Sequence, residues 1–312
     1  MTRAPSASAQ APGAVVMVRP RRFTPNPATA ADNAFQRDAG AEAEAVARAA
    51  HAEVGAVAAR LEAEGVRVHL FEDDGSRDTP DSVFPNNWFS THAGGHVAIF
   101  PMYSPSRRRE RRADVIELLK ARYRVQDVID YSGLEPDGLF LEGTGAMVLD
   151  HVARIAYTAR SNRADAVALE RFCTHFNFEP MVFDTADAAG RPIYHTNVIM
   201  CVATEFALVG FGLLTDPARA EAVRERLRES GREVIELSNA QVAEFAGNAL
   251  ELGARDGRIL AMSERGVDSL TPEQKRAIGR SCRLVGLRVP TIELAGGSVR
   301  CMLAGIHLAA RP

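Results

Sequence analysis

A fixed internal period constrains this chain more than any other feature. Short apolar runs open near Ala146 ("AMVLD"), Val198 ("NVIMCV") and Ala249 ("NALEL"), at spacings of 52 and then 51 residues. Each is followed by a second apolar run ("RIAYTA", "FALVGF", "RILAM") and an amphipathic helical stretch, over roughly Arg163 to His175, Pro217 to Glu229 and Pro272 to Cys282. A third run closes each unit ("EPMVFD", "EVIEL", "RVPTIEL"). Every unit therefore reads strand, strand, helix, strand, and repetition at this period marks a radial or solenoid array.

An earlier unit fits the same scheme, with "NWFST", "HVAIFP", a helix over Arg107 to Arg122 and "YRVQDVI". One further period lands near Arg300, where "RCMLAGIHLA" supplies a first strand. Its remainder stands at the other end of the chain as "VVMVRP", a helix over Ala41 to Glu64, and "VRVHLF". A unit split across the termini lets an array close on itself and limits free sheet edges. The prediction is an α/β fold, a pseudo-fivefold five-bladed α/β propeller closed by its C-terminal strand. Kelch-type blades have a similar period but are all β, whereas each unit here carries a helix.

The period also aligns polar residues. Asn87, Glu142, His195, Asn248 and Cys301 fall just before or at the first strand of successive units, at separations of 55, 53, 53 and 53 residues. Equivalent positions in a radial array face one axis. A carboxylate, an imidazole and a thiol are expected to meet there, with Gly296 and Gly297 allowing close backbone approach. A thiol beside an imidazole attacks electrophilic carbon, and a carboxylate can orient the imidazole. Asn248 is read as a residue that satisfies backbone groups. His92 and His96 flank Gly94-Gly95, which argues for a hairpin turn and against a metal pair on a helix.

Composition sets the outer limits. The 37 basic residues are nearly balanced by 40 acidic ones, for a net charge of −3, so no general field would hold a nucleic acid. No stretch approaches the length of a membrane span, and the first 13 residues lack the apolar core of a signal peptide. Four cysteines, 173, 201, 282 and 301, have neither paired nor metal-type spacing and read as reduced thiols in a cytoplasm. The expected layout is a disordered tail over 1–14 and one catalytic domain over 15–312. Met17 is the one other start nearby, but it would cut into the strand-like "AVVMVRP". The sequence is compatible with a homo-oligomer and leaves that state open.

"LEGTGAM", "YHTNV" and "GGSVRCM" resemble the Glu, His and Cys motifs of the guanidine-modifying superfamily of deiminases, amidinotransferases and dimethylarginine dimethylaminohydrolase. That superfamily has a five-bladed α/β propeller fold. "PDSVFPNNWFSTH" is similar to the dimethylarginine hydrolase stretch Asp-Ser-Val-Phe-Val-Glu-Asp, which places Asp81 on a substrate-binding aspartate and Asn86 and Asn87 on an acidic pair. "SPSRRRE" and "YTARSNR" resemble its two arginine motifs, matching Arg107 and Arg160 to groups that hold a substrate carboxylate. The whole pattern, with "MVRP" and the Asn-Asn-Trp-Phe-Ser run, looks most like the citrulline-utilisation hydrolases of that superfamily.

The resemblance implies a small amino-acid substrate and covalent catalysis. Cys301 would be the nucleophile, His195 the acid and base, and Glu142 the partner of the imidazolium, with no metal or organic cofactor. Guanidinium-binding relatives carry a carboxylate two residues after the catalytic histidine, but here that residue is Asn197, and the acidic pair is Asn86-Asn87. Amides suit a neutral group where carboxylates compensate a cation. Citrulline, hydrolysed to ornithine, ammonia and carbon dioxide, is therefore favoured over arginine or dimethylarginine. Deimination, dimethylarginine hydrolysis, amidino transfer and a non-catalytic binding protein on the same scaffold are the competing readings.

Overall fold

The computed structural model describes residues 9–40 and 42–312. Among the described residues there are fifteen strands. The first eight are β1 (Ala14–Pro20), β2 (Arg67–Asp73), β3 (Phe89–His92), β4 (His96–Ile99), β5 (Asp127–Asp130), β6 (Met147–Asp150), β7 (Ile155–Ala159) and β8 (Glu179–Phe183). The others are β9 (Met200–Val202), β10 (Phe206–Val209), β11 (Glu233–Glu236), β12 (Leu250–Ala254), β13 (Gly257–Ser263), β14 (Arg283–Leu287) and β15 (Ala304–Gly305). They form five three-stranded sheets of one plan: β3-β4-β5, β6-β7-β8, β9-β10-β11, β12-β13-β14 and β15-β1-β2.

In each sheet the first strand runs antiparallel to the second and the second parallel to the third. A parallel pair needs a crossover, and a helix supplies it in every unit. The helices are α1 (Ala43–Ala63), α2 (Ala113–Arg122), α3 (Ala166–Phe176), α4 (Pro217–Glu229) and α5 (Pro272–Gly279). The fifth sheet joins the two ends of the chain, with Val15 and Val16 of β1 opposite Gly305 and Ala304 of β15.

Local chemistry sets these boundaries. In α1, Val46, Ala50, Val54, Val57 and Leu61 form one buried stripe at three- and four-residue spacing. Asp165 accepts from the backbone of Val167 and Ala168 at the start of α3. Pro217 and Pro272 occupy the first turns of α4 and α5, behind the caps Asp216 and Thr271.

Three expectations need correction. The first is the closing strand expected at "RVPTIEL", whose place is taken by β14 at Arg283–Leu287 while Ile292–Ala295 forms a short helical turn. The helix expected over Arg107 to Arg122 is a single turn at Pro105–Arg108 followed, after an extended Arg112, by α2. The break lets Arg107 turn inward while Arg109 binds Asp78 and Arg111 binds Glu135 outside. The tail expected over 1–14 is not free from Gln10 onward: the Gln10 amide donates to Leu149 O and Val202 O at 3.0 and 2.9 Å. Residues 1–8 of that tail lie outside the described residues. His92 and His96 face each other across the β3–β4 hairpin, where Gly94 and Gly95 both take positive φ.

Candidate active site

Four of the five aligned polar residues stand at or just before short helical turns that precede the first strands of their sheets, and Asn248 follows a non-helical turn directly ahead of β12. Glu142 and His195 each stand just before such a turn, Asn87 ends one and Cys301 lies within the turn Val299–Met302. Asn87, His195 and Cys301 line a cavity together with Asp81, Arg107, Arg163 and Tyr194, and with Thr29 and Asn33 from the segment after β1, while Glu142 and Asn248 are buried off its wall.

The sulfur of Cys301 is buried and meets two amides, with Asn197 Nδ2 at 3.4 Å and Asn248 Nδ2 at 3.3 Å. Negative charge developing on sulfur would face both N–H donors. Asn248 also donates to Asn197 O at 2.9 Å and accepts from Arg300 N at 3.0 Å, so it satisfies backbone groups and touches the thiol at once. Close approach is enforced by glycine: a Cβ on Gly297 would lie 2.8 Å from the Phe84 ring.

Glu142 is fully buried and is the electrostatic centre of the site. One oxygen accepts from Tyr103 N, and the other meets His195 Nε2 at 2.8 Å, Arg107 Nη1 at 3.3 Å and Arg163 Nη1 at 3.4 Å. Burial works to raise its pKa, but Arg163, the His195 hydrogen bond and Arg107 together hold the carboxyl well below the usual range. An ionised Glu142 only accepts, so His195 Nε2 carries the proton and Nδ1 the lone pair. Burial pushes the imidazole down to about 4 despite Glu142, with Arg163 and Arg107 adding to the lowering. His195 is thus neutral at neutral pH and able to take a proton.

Arg107 is 2% exposed and forks onto Glu110 at 2.9 and 3.0 Å, with Asp81 at 3.8 Å. Burial works to lower its pKa, but Glu110, Glu142 and Asp81 raise it further. Burial raises the Asp81 carboxyl, opposed by Arg107 and by Asn26, which donates to it at 2.8 Å. Asn87 lines the cavity with an Nδ2 that has no protein acceptor. Asn86 is equally buried, but it does not line the cavity and its side-chain atoms are unpaired.

Arg160 is not brought to this site. Its side chain is 59% exposed and pairs with Asp184 at 3.1 Å on the surface. The second buried guanidinium belongs to Arg163, 1% exposed, which forks onto Asp32 at 2.6 and 3.0 Å and lies over the Tyr194 ring. Ser161 makes the difference. Its hydroxyl donates to Tyr194 O and accepts from Arg163 N, turning the chain so that the arginine three residues after Arg160 faces inward. Two arginines in one loop gave no sequence signal for which would turn.

Gly145 was also missed. A Cβ there would overlap Asn87 Nδ2 and lie 2.8 Å from His195 Nδ1. Gly145→Ala is expected to displace the imidazole and lower kcat by about 100-fold or more, with a smaller effect on KM, as a misplacement of about 1 Å does. Steady-state kinetics beside a melting curve would check it, and wild-type kcat would refute it.

A pH effect on stability follows from four imidazoles, His92 and His195 buried and His151 and His307 half-buried. Burial lowers His195 and His307 to about 4 and His92 and His151 well below their usual value. These rings are neutral in the fold, whereas the unfolded chain binds protons below about 6.5. The unfolded state therefore gains protons first on acidification. Stability is full above about pH 6.5, and Tm is expected to fall steadily between about pH 6.5 and 5; a flat Tm over that window would contradict it.

A family model described as N,N dimethylarginine dimethylhydrolase, eukaryotic, matches residues 19–308. No curated protein matches the chain. Among solved structures, the N-terminal domain of ArgZ, an arginine dihydrolase of cyanobacteria, superposes with TM-score 0.73 at 16% identity over 94% of this chain and 97% of that domain. AgrE with L-arginine gives 0.71 at 15% identity, covering 96% of this chain and 40% of AgrE. The dimethylarginine hydrolase of Pseudomonas aeruginosa, complexed with citrulline, gives 0.62 at 14% identity over 95% and 99% of the two chains. Matched by that family model across nearly its whole length, this chain belongs to the N,N-dimethylarginine dimethylhydrolase family of the guanidino-modifying superfamily and is a hydrolase of non-peptide carbon–nitrogen bonds.

Proposed function

We propose that the chain hydrolyses the ureido group of an α-amino acid, with citrulline as substrate and ornithine, ammonia and carbon dioxide as products. In this reading the five sheets are the blades of a propeller, with Cys301, His195 and Glu142 meeting at its axis as the catalytic set. The observation that carries the substrate is the state of the carboxylates. Glu142 is already shared by Arg107, Arg163 and His195, and Asp81 by Asn26 and Arg107. An incoming guanidinium would find no uncommitted negative partner, and a buried cation without one is costly. A neutral ureido group needs none. Its oxygen can accept from an amide such as the orphaned Asn87 Nδ2, and the thiol stands between the amides of Asn197 and Asn248.

The chemistry follows from these groups. Cys301 passes its proton to His195 Nδ1 as sulfur bonds to the ureido carbon, and Glu142 holds the imidazolium that forms. The imidazolium protonates the leaving nitrogen, and the carbon–nitrogen bond breaks to leave a thiocarbamate on sulfur. Neutral His195 then deprotonates a water that attacks the thiocarbamate, and the proton returns to sulfur. The carbamic acid released loses carbon dioxide, so citrulline and one water account for all three products. The N–H donors around the site stabilise the charge that develops. Asp81, Asn87, Arg107 and Arg163 are the substrate contacts.

A second reading comes from the fold neighbours that are arginine dihydrolases, one captured covalently bound to a reaction intermediate. There a guanidino group would enter and two nitrogens would be removed in turn on one thiol. Product analysis separates the readings. Ornithine and ammonia are expected from citrulline, with no turnover of arginine or asymmetric dimethylarginine. Ornithine from arginine would establish the second reading, and citrulline made from either guanidino substrate would overturn the ureido assignment.

A further inference from the structure

A second polar cavity, of about 40 Å³, lies behind the catalytic cysteine. Strands from all five sheets contribute to its wall: Ser90 and Thr91, Val148 and Leu149, Cys201, Leu250, and Gly305. Gln10 closes one end by donating to Leu149 O and Val202 O and accepting from His151 N. Beside it the His151 and His307 rings stack at 3.8 Å.

Arg300 lines this cavity and is its only formal charge among the described residues, since no aspartate or glutamate lies on its wall. Of the guanidinium's five N–H donors, one reaches a protein acceptor, Leu303 O at 2.9 Å. The neighbouring groups do not supply a counter-charge. Burial keeps the Cys201 thiol protonated, pushing it up to about 12, and keeps His151, His307 and His92 neutral. The threonines are committed as well, with Thr91 Oγ1 donating to Gly305 O and Thr144 Oγ1 to Asn86 O. His151 has a ring N–H and makes no hydrogen bond through its ring to the protein. The fully buried arginines of this fold are each paired with a carboxylate, Arg107 with Glu110, Arg163 with Asp32 and Arg232 with Asp150, whereas the half-buried Arg300 has none. A guanidinium that lines a cavity without a carboxylate leaves room there for an anion to supply the missing counter-charge.

We propose that this axial cavity binds one small monovalent anion of halide size, held by the Arg300 guanidinium and the His151 ring N–H. A single formal charge and space for about two or three waters suit a halide and not a phosphate. The site lies one residue from the nucleophile, because Arg300 N is bonded to the same Asn248 whose amide touches the Cys301 sulfur.

Two measurements test it on the full chain. Crystals soaked in sodium bromide are expected to show an anomalous peak within hydrogen-bond reach of Arg300, and its absence overturns the site. In solution, sodium bromide should raise Tm by about 3 °C over sodium gluconate at equal ionic strength. That difference should saturate with bromide and vanish in Arg300→Gln; an equal shift in the variant overturns the assignment. Should Arg300→Gln not fold, the bromide peak in the wild-type crystal decides the matter alone.

Discussion

Cys301→Ala is expected to lower turnover by at least about 10⁴-fold while Tm stays within a few degrees of wild type. In the proposed mechanism the sulfur is the nucleophile, and the two hydroxyls of the same cavity, Thr29 and Tyr194, are committed to the backbone carbonyls of Asn26 and Gly296. Removing it deletes the covalent route and leaves binding and charge stabilisation in place. Stability should change little, because the residue packs in a short turn and loses one sulfur atom on truncation, at the small end of core substitutions. Asn197 and Asn248 lose a sulfur contact but keep their places, the latter through Asn197 O and Arg300 N. Residual turnover within tenfold of wild type would place the nucleophile elsewhere. Wild-type Tm with no turnover, together with unimpaired citrulline binding by calorimetry, would assign the loss to chemistry alone.

The repeat was legible because each unit restates the same physical problem. An apolar inner strand, a partner and a helical crossover give the same hydrophobic pattern five times, and caps such as Asp216-Pro217 and Thr271-Pro272 mark the helix starts. The same logic exposed Glu142, His195 and Cys301, since residues at one phase of a repeated unit stand at the same end of each sheet. What stayed hidden depends on side-chain direction inside irregular segments. Asn86 and Asn87 are adjacent, and only the turn at Pro85–Asn87 decides which one lines the cavity. Gln10 sits in a small, Pro-rich stretch with no periodicity, and it is held by two carbonyls from β6 and β9 that no local pattern announces. The break after Arg108 is similar. Its cause is the burial of Arg107 against Glu110, Glu142 and Asp81, a long-range demand that outweighs helix propensity.

The two arginines of "YTARSNR" give the sharpest contrast in expected kinetics. Arg163→Ala is expected to lower kcat/KM by about 100-fold or more, and Arg160→Ala by no more than about threefold. Arg163 is the buried guanidinium whose planar fork can take a carboxylate bidentately, and at present Asp32 occupies it as a substrate carboxylate would. Substrate must therefore compete with Asp32, so Asp32→Asn should lower KM while Arg163→Ala raises it. Arg163 also lies 3.4 Å from Glu142, so its loss should reduce kcat as well, through the carboxylate that orients His195. Arg163→Lys keeps the charge without the fork and should recover part of kcat but little of KM. Arg160 spends its charge on a solvent-exposed pair with Asp184, and such pairs contribute about 0–1 kcal/mol. The reverse ranking, with Arg160→Ala the more damaging variant, would mean that the loop turns over when substrate binds and that the inward guanidinium seen here belongs to the resting enzyme.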